Sequence, residues 1–141
     1  MSDWNTNLIN DMRAHGGHPS SGPFAGRQVL ILTTTGAKTG AKRESPLAYT
    51  RDGDRIVIVA SKGGAPTNPA WYHNVVANPN VTVELDGERF DAAATVATGD
   101  ERRRLYDGHV AVHPGFADYE TRTERVIRVI VLQRKAATAA A

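Results

Sequence analysis

Residues 28–60 read QVLILTTTGAKTGAKRESPLAYTRDGDRIVIVA, and the fold is decided there. Residues 28–35 are apolar and β-branched in one unbroken run, which favours an extended chain over a helix. Gly36 and Gly40 then turn the chain, and residues 43–50 form a second strand. Pro46 interrupts that strand; lacking an N–H, it assigns the strand to a sheet edge or a bulge. Arg51-Asp52-Gly53-Asp54 reads as a tight turn into a third strand, residues 55–60. Three strands in close succession make an antiparallel meander.

Upstream, residues 3–15 read as an amphipathic helix with Trp4, Leu8, Ile9 and Met12 on one face, ended by His15-Gly16-Gly17-His18-Pro19. Such a helix packs over the open side of a sheet. Downstream, Asn68 and Pro69 read as the cap and first residue of a helix with Trp71, Val75 and Val76 on its apolar face. Asn78-Pro79 stops it. Residues 81–85 and 89–97 form a hairpin across Asp86-Gly87-Glu88. Asp100 caps a helix over 101–109, a helical or coiled piece spans 116–123, residues 126–132 are the last strand, and 134–141 fray. Long helices are too few for a parallel sheet with crossovers. The fold class is therefore mainly β with flanking helices, a small antiparallel barrel or strongly coiled sheet. The expected organisation is a helix and Gly/Pro-rich loop over 1–26, a barrel domain over 27–134 and a flexible tail over 135–141.

With 141 residues and 40% hydrophobic content, the chain supports one core and one site at its edge. It has no cysteine, which excludes disulfides and thiolate chemistry and suits a reducing cytoplasm. Residues 1–11 are polar, so no secretory signal is expected, and no apolar run is long enough to cross a bilayer. The net charge of +2 is unevenly spread: residues 27–62 hold seven cations against three anions, and residues 84–107 hold seven anions against four cations. A basic region of that kind suits nucleic acid or a small polyanion. Its aromatics are not interleaved with the cations as stacking platforms, so the small polyanion is preferred.

Two loops concentrate the chemistry. The first, residues 36–43, presents Lys38, Thr39, Lys42 and Arg43 near backbone N–H groups, and it equally suits a solvated hairpin turn. It is no Walker loop, because only three residues separate Gly36 from Gly40 and Ala41 follows. The second, Ser61-Lys62-Gly63-Gly64-Ala65-Pro66, leaves a buried strand, and its paired glycines admit a flat ligand close to the backbone. Trp71 and Tyr72 can frame a ring system, with Asn74 one turn further along. His113, Phe116 and Tyr119, spaced by three, share one face of a turn as a pocket wall or a packed surface cluster. The histidines are too scattered for a metal centre, and Ser61 has no evident His-Asp partners. Reactivity is therefore assigned to a bound cofactor.

Five segments carry a resemblance: Leu30-Ile31-Leu32-Thr33-Thr34-Thr35-Gly36-Ala37-Lys38-Thr39-Gly40, Arg43-Glu44-Ser45-Pro46-Leu47, Ala60-Ser61-Lys62-Gly63-Gly64-Ala65-Pro66, Asn68-Pro69-Ala70-Trp71-Tyr72-His73-Asn74 and Ala77-Asn78-Pro79. Together, over nearly the whole chain from Arg13 to Leu132, they resemble the deazaflavin-dependent nitroreductase family of actinobacteria. The resemblance implies a split β-barrel, the flavin-reductase-like antiparallel barrel, and a reductase that uses reduced coenzyme F420, F420H2, as hydride donor. Acceptors implied are a quinone, an activated alkene such as an enone or lactone, or a nitroaromatic. By resemblance Lys38, Thr39 and Arg43 hold the phosphate and oligoglutamate tail. Ser61, Lys62, Gly63, Gly64, Ala65 and Pro66 line the phospholactyl and ring region, and Trp71, Tyr72 and Asn74 close over the cofactor.

His113, Phe116 and Tyr119 are then expected to shape the acceptor pocket, with Ser61 and Tyr119 as the hydroxyls serving the acceptor oxygen. His113 and Phe116 stand where the best-studied nitroreductase has tyrosines, and losing two phenol donors counts against nitroimidazole chemistry. Two other readings are an FMN-dependent oxidoreductase and a non-catalytic F420- or ligand-binding protein. Expected partners are a small-molecule electron acceptor and no nucleic acid, for a monomer or weak homodimer. A cytoplasmic location is expected, with peripheral membrane association of the first helix left open.

Overall fold

Strand β1 (Val29–Thr35) buries both faces: Leu30 and Leu32 enter the main core, while Val29 and Ile31 enter another on the opposite side. Two-sided burial explains why its sequence lacks polar alternation. The computed structural model describes residues 3–20, 22, 25–61, 67–123 and 126–135. Among these, β1 is followed by β2 (Lys42–Ala48), β3 (Thr50–Asp52), β4 (Arg55–Val59), β5 (Asn80–Leu85), β6 (Glu88–Ala97) and β7 (Val129–Arg134). The helices are α1 (Asp3–Ala14), α2 (Ala70–Ala77) and α3 (Gly99–Val112), with short 3-10 turns at Pro114–Asp118 and Glu120–Arg122.

The strands form one antiparallel sheet in the order β2-β1-β5-β6-β7-β4-β3. Its two end strands, β2 and β3, are separated in the chain by Tyr49 alone. The sheet must therefore curl until its edges meet, which makes a half-barrel closed at a one-residue seam. Leu30, Leu32, Ile56, Ile58, Val83 and Ile130 fill the inside. Pro46 lies on edge strand β2, where its missing N–H costs least.

Outside the barrel, Val57, Val59, Val129 and Val131 pack under Leu105 and Tyr106 of α3. Ile9 and Met12 of α1 cover Val29 and Ile31, so the first helix does pack on the sheet; the side chain of Trp4 lies outside the described ones. Arg13 ties the same helix down: its guanidinium donates two bonds to the Glu84 carboxylate, at 2.9 and 2.7 Å, and a third to Glu44.

Several boundaries differ from the sequence expectation. The β5–β6 hairpin turns through two residues, not three: Asp86 and Gly87 both have positive φ, 54° and 82°, and Leu85 pairs with Glu88. That is a type I′ turn, whose twist matches the strands. Helix α2 begins at Ala70, because Pro69 is extended with ψ 155° and itself occupies the cap position in place of Asn68. Asp100 sits in the first turn of α3 beside Glu101, where carboxylates favour the positive helix end, and Thr98 takes the cap position. The last strand starts at Val129, and the frayed tail expected from residue 134 does not begin there. Arg134 pairs with Ala92, and the Lys135 N–H donates to Asp91 O at 3.0 Å; residues 136–141 lie outside the described ones.

Candidate functional site

Strand sense alternates along the sheet, so β1 and β4, four places apart in the order, run the same way. The loop after β1 and the loop after β4 consequently leave the same end of the barrel. Helix α2 follows the second loop and bridges to the first. Asn74 Oδ1 accepts the Ala37 N–H at 2.9 Å, and its Nδ2 donates to Thr34 Oγ1 at 3.1 Å. The helix that follows the second loop is thus joined to the first loop through one buried amide.

The first loop is folded tightly on itself. Gly36 N–H donates to Ala41 O at 2.7 Å, Gly40 N–H to Gly36 O at 2.9 Å, and Ala41 N–H to Thr39 Oγ1 at 3.2 Å. A Cβ on Gly36 would stand 3.0 Å from Thr39 Oγ1 and 3.2 Å from Ala41 O, so a side chain there would press on both groups and require them to shift. With its polar atoms turned inward, the loop leaves Lys38 and Arg43 exposed without a side-chain partner among the described residues, while Lys42 Nζ donates to Thr35 Oγ1 at 3.0 Å. Lys38, Thr39 and Arg43, expected to act together, are together.

A cavity of about 1090 Å³ opens between this loop, α2 and α1. Lys38, Thr39, Lys42, Arg43, Trp71 and Asn74 line its mouth. Its floor is the outer face of β1, β2, β5 and β6, with Thr33, Thr82 and Arg89, and Thr6, Ile9 and Asn10 of α1 form its roof. Glu44 also lines it, but Arg13 neutralises that charge. The same guanidinium holds the Glu84 carboxyl below its usual range. Thr33 Oγ1 is buried on the floor with no hydrogen-bond partner among the described residues. An unmade buried bond of that kind costs about 1–3 kcal/mol until a ligand or water supplies it. Unpaired cations in one cavity fit a phosphorylated, polycarboxylate ligand.

Trp71 is buried in the barrel core at this end, and half-buried Tyr72 stands edge-on to His73 with ring centroids 5.5 Å apart. Ser61 is buried just beyond β4, where Ala60 N–H still donates to Arg128 O. Alternation puts Ser61 on the face of Val57 and Val59. Lys62, Gly63, Gly64, Ala65 and Pro66 lie outside the described residues.

The third candidate group sits elsewhere. Helix α3 starts at the loop end, where β6 leaves the sheet, and its 14 residues span about 21 Å, enough to reach the opposite end. There His113 Nε2 donates to Tyr49 O at 2.9 Å, and His109 Nδ1 lies 3.2 Å from Thr50 Oγ1. Both histidines therefore pin the seam. Phe116 stacks edge-on to His109 at 4.5 Å, and burial, helped by His113, pushes the His109 imidazole down to about 3. The expected single face of His113, Phe116 and Tyr119 forms, but it looks onto α3 and the outer sheet rather than into the 1090 Å³ cavity. Tyr119 is half-buried, 5.0 Å edge-on from Phe116, on the chain returning towards the loop end. Among the described residues no cluster of histidines and carboxylates could hold a metal.

Sequence reasoning missed Thr33, Arg89 and the α1 roof. The only available signal was parity in β1, which puts Thr33 on the same side as Ile31; its cross-strand neighbours Glu44 and Thr82 depend on register.

Residues 5–134 match a family model described as F420H(2)-dependent quinone reductase. An F420H(2)-dependent quinone reductase of Mycobacterium tuberculosis strain H37Rv is 44% identical over 109 residues, covering 75% of this chain and 73% of the relative. A solved F420-H2 dependent reductase, FDR-A, superposes with a TM-score of 0.70 at 40% identity, over 76% of this chain and 95% of that one. A second solved structure, described as a domain-swapped dimer, gives 0.73 at 35% identity over 93% and 98% of the two chains.

Proposed function

The chain belongs to the F420H(2)-dependent quinone reductase family, and we propose that its acceptor is a quinone, with activated alkenes and nitroaromatics as lesser acceptors. It is an F420H2-dependent reductase of the split-barrel type, with reduced coenzyme F420 as hydride donor. When bound, that cofactor supplies a hydride from C5 of its deazaflavin ring. The observation that carries the site reading is the joining of α2 to the first loop through Asn74, beside the uncompensated Lys38 and Arg43.

Lys38, Thr39 and Arg43 bind the phosphate and the head of the acidic tail. Trp71 offers a rigid apolar wall, with Tyr72 beside it, and the ring-side role of Lys62 to Pro66 rests on the sequence resemblance. Asn74 orients the site through the loop, since both its amide atoms are engaged. Ser61 and Tyr119 serve the acceptor oxygen, stabilising the charge that develops there and supplying a proton. Tyr119 suits that task because its hydroxyl makes no bond among the described residues. Phe116 and, further back, His113 support its ring from behind.

No described helix is long and apolar enough to cross a membrane. Arg13, the one basic residue of α1, is committed to Glu44 and Glu84, so attachment of α1 to a bilayer surface would rest on its apolar residues. A homodimer is the assembly to test first, by light scattering, given the dimeric relative.

The decisive experiment is a fluorescence titration of the protein with F420, followed by F420H2 oxidation assays with a menaquinone analogue, an enone and a nitroimidazole. Saturable binding and fastest turnover of the quinone are expected. Absence of saturable binding would sink the reading. Equal rates for all three acceptors would sink the assignment to quinones.

A further inference from the structure

Tyr119 stands at a weak joint in the backbone. It lies where one 3-10 turn, Pro114–Asp118, ends and the next, Glu120–Arg122, begins, and such turns are short and poorly bonded. Its N–H donates to Phe116 O and its carbonyl accepts the Arg122 N–H, both at 3.2 Å. We propose that Arg102, Arg103 and Tyr106 of α3 are positioning residues of the reductase, bracing the chain on both sides of Tyr119 and tying it to the segment beside Ser61. The proposal deepens, and rests on, the reading above that Tyr119 and Ser61 serve the acceptor oxygen.

On the upstream side, the buried Tyr106 donates its hydroxyl to Phe116 O at 2.6 Å, the same carbonyl that accepts the Tyr119 N–H. Burial, helped by Glu120, pushes the Tyr106 phenol up to about 12, so it remains a donor at any working pH. On the downstream side, Glu120 is gripped by two arginines. Arg102 Nη2 donates to its Oε2 at 2.9 Å, and Arg103 donates to Oε1 from Nη1 at 3.2 Å and to Oε2 from Nη2 at 2.5 Å. The Arg103 contact is a two-pronged fork, which fixes direction as well as distance. Spaced by four and three from Tyr106, the two guanidinium groups also stack on its ring, with Cζ 5.2 and 5.3 Å from the centroid. The three side chains thus form one packed unit.

Arg102 carries the brace further. Its Nε donates to Ile127 O at 2.9 Å, while the next carbonyl, that of Arg128, accepts the Ala60 N–H at 2.9 Å. Ser61 follows directly. One planar guanidinium therefore links the residue after Tyr119 to the segment that holds the residue before Ser61, a span that a single-pronged lysine could not fix. Placement of this kind matters to rate, because a shift of about 1 Å in a group serving the reacting atoms costs up to about a hundredfold.

Steady-state oxidation of F420H2 by a menaquinone analogue, with F420 titrations alongside, tests the brace at a temperature where circular dichroism shows each variant folded. Tyr106→Phe removes one hydroxyl and leaves Phe116 O its bond from the Tyr119 N–H. Glu120→Gln removes the charge and keeps an oxygen to accept, and it decides the matter alone where Tyr106→Phe does not fold. Each is expected to lower kcat about five- to tenfold, with F420 affinity and quinone KM within about twofold of the unaltered protein. Tyr119→Phe is expected to lower kcat about a hundredfold, and in that background neither variant lowers it further, because the hydroxyl they place is gone. A merely structural role would cost the same factor in both backgrounds, and that result overturns the proposal. Full kcat in Tyr106→Phe and Glu120→Gln beside a slow Tyr119→Phe overturns it too, leaving the reading of Tyr119 intact. Full kcat in Tyr119→Phe would refute that reading and the brace with it.

Discussion

Asn74→Ala should loosen the joint between α2 and the first loop, and its cost can be worked from the contacts. The amide makes two hydrogen bonds, each worth about 1 kcal/mol net. Its removal strands the Thr34 hydroxyl, which is 1% exposed, and adds about 1–2 kcal/mol for the unmade bond. The Ala37 N–H lies nearer solvent and recovers water. The sum is about 3–4 kcal/mol, which for a chain of this length lowers the melting temperature by roughly 9–12 °C. Asn74→Asp keeps an acceptor for Ala37 but loses the donor to Thr34, so it reports on the second bond separately. Circular dichroism melts give the stability, and F420 titration below the melt gives the affinity. Because the amide positions the phosphate loop, affinity should fall about tenfold at temperatures where the variant is fully folded. A melting temperature within about 2 °C of the unaltered protein, or unchanged affinity in a destabilised variant, would refute the latch.

Other perturbations probe separate parts of the molecule. Lys38→Ala with Arg43→Ala should weaken F420 but not the tail-less riboside, and the deficit should shrink as salt rises, in titrations at several ionic strengths. Buried His109 refuses a proton down to about 3 in the folded state, whereas an unfolded histidine accepts one near 6.5. The unfolded state therefore binds more protons between those values. This contribution to stability is full above about pH 6.5 and falls by about 1.4 kcal/mol per unit on acidification, a slope that urea unfolding of His109→Gln should lack. Arg13→Ala should release α1 at a cost of only about 1 kcal/mol, since the ion pairs are partly exposed, yet speed proteolysis within residues 15–28. Unchanged cleavage would show that the apolar contacts of Ile9 and Met12 hold the helix unaided.

The strands were legible because burial imposes their pattern residue by residue. Leu30 and Leu32 face one core and Val29 and Ile31 another, and no long-range information is needed to see a strand in such a run. That both loops leave the same end of the barrel follows from the shared sense of β1 and β4, each a buried strand, while residues 62–66 of the second loop lie outside the described ones. What lay beyond reach was set by the register and by the path of α3. Spacing by three told that His113, Phe116 and Tyr119 share a face, but the contents of that face depend on a helix as long as the barrel, which carries His113 to the seam. Thr33 looks like any strand threonine until register places Glu44 and Thr82 beside it and α1 above. Caps moved by one or two residues because Pro69 and Thr98 adopt extended backbone that composition alone does not specify.

Strand β7, the last in chain order among the described residues, occupies an interior place in the sheet, between β6 and β4. Before it arrives the chain holds two pieces, β2-β1-β5-β6 and β4-β3, connected at Tyr49 but unpaired along their inner edges. A chain still on the ribosome can thus complete its phosphate loop and hairpins while its barrel stays unzipped. Both edges are then open to pairing with another chain. Ile56 waits for Leu132, 76 positions later, and Val96 for Ile130. Closure consequently waits for β7, which acts as the molecule's zip fastener.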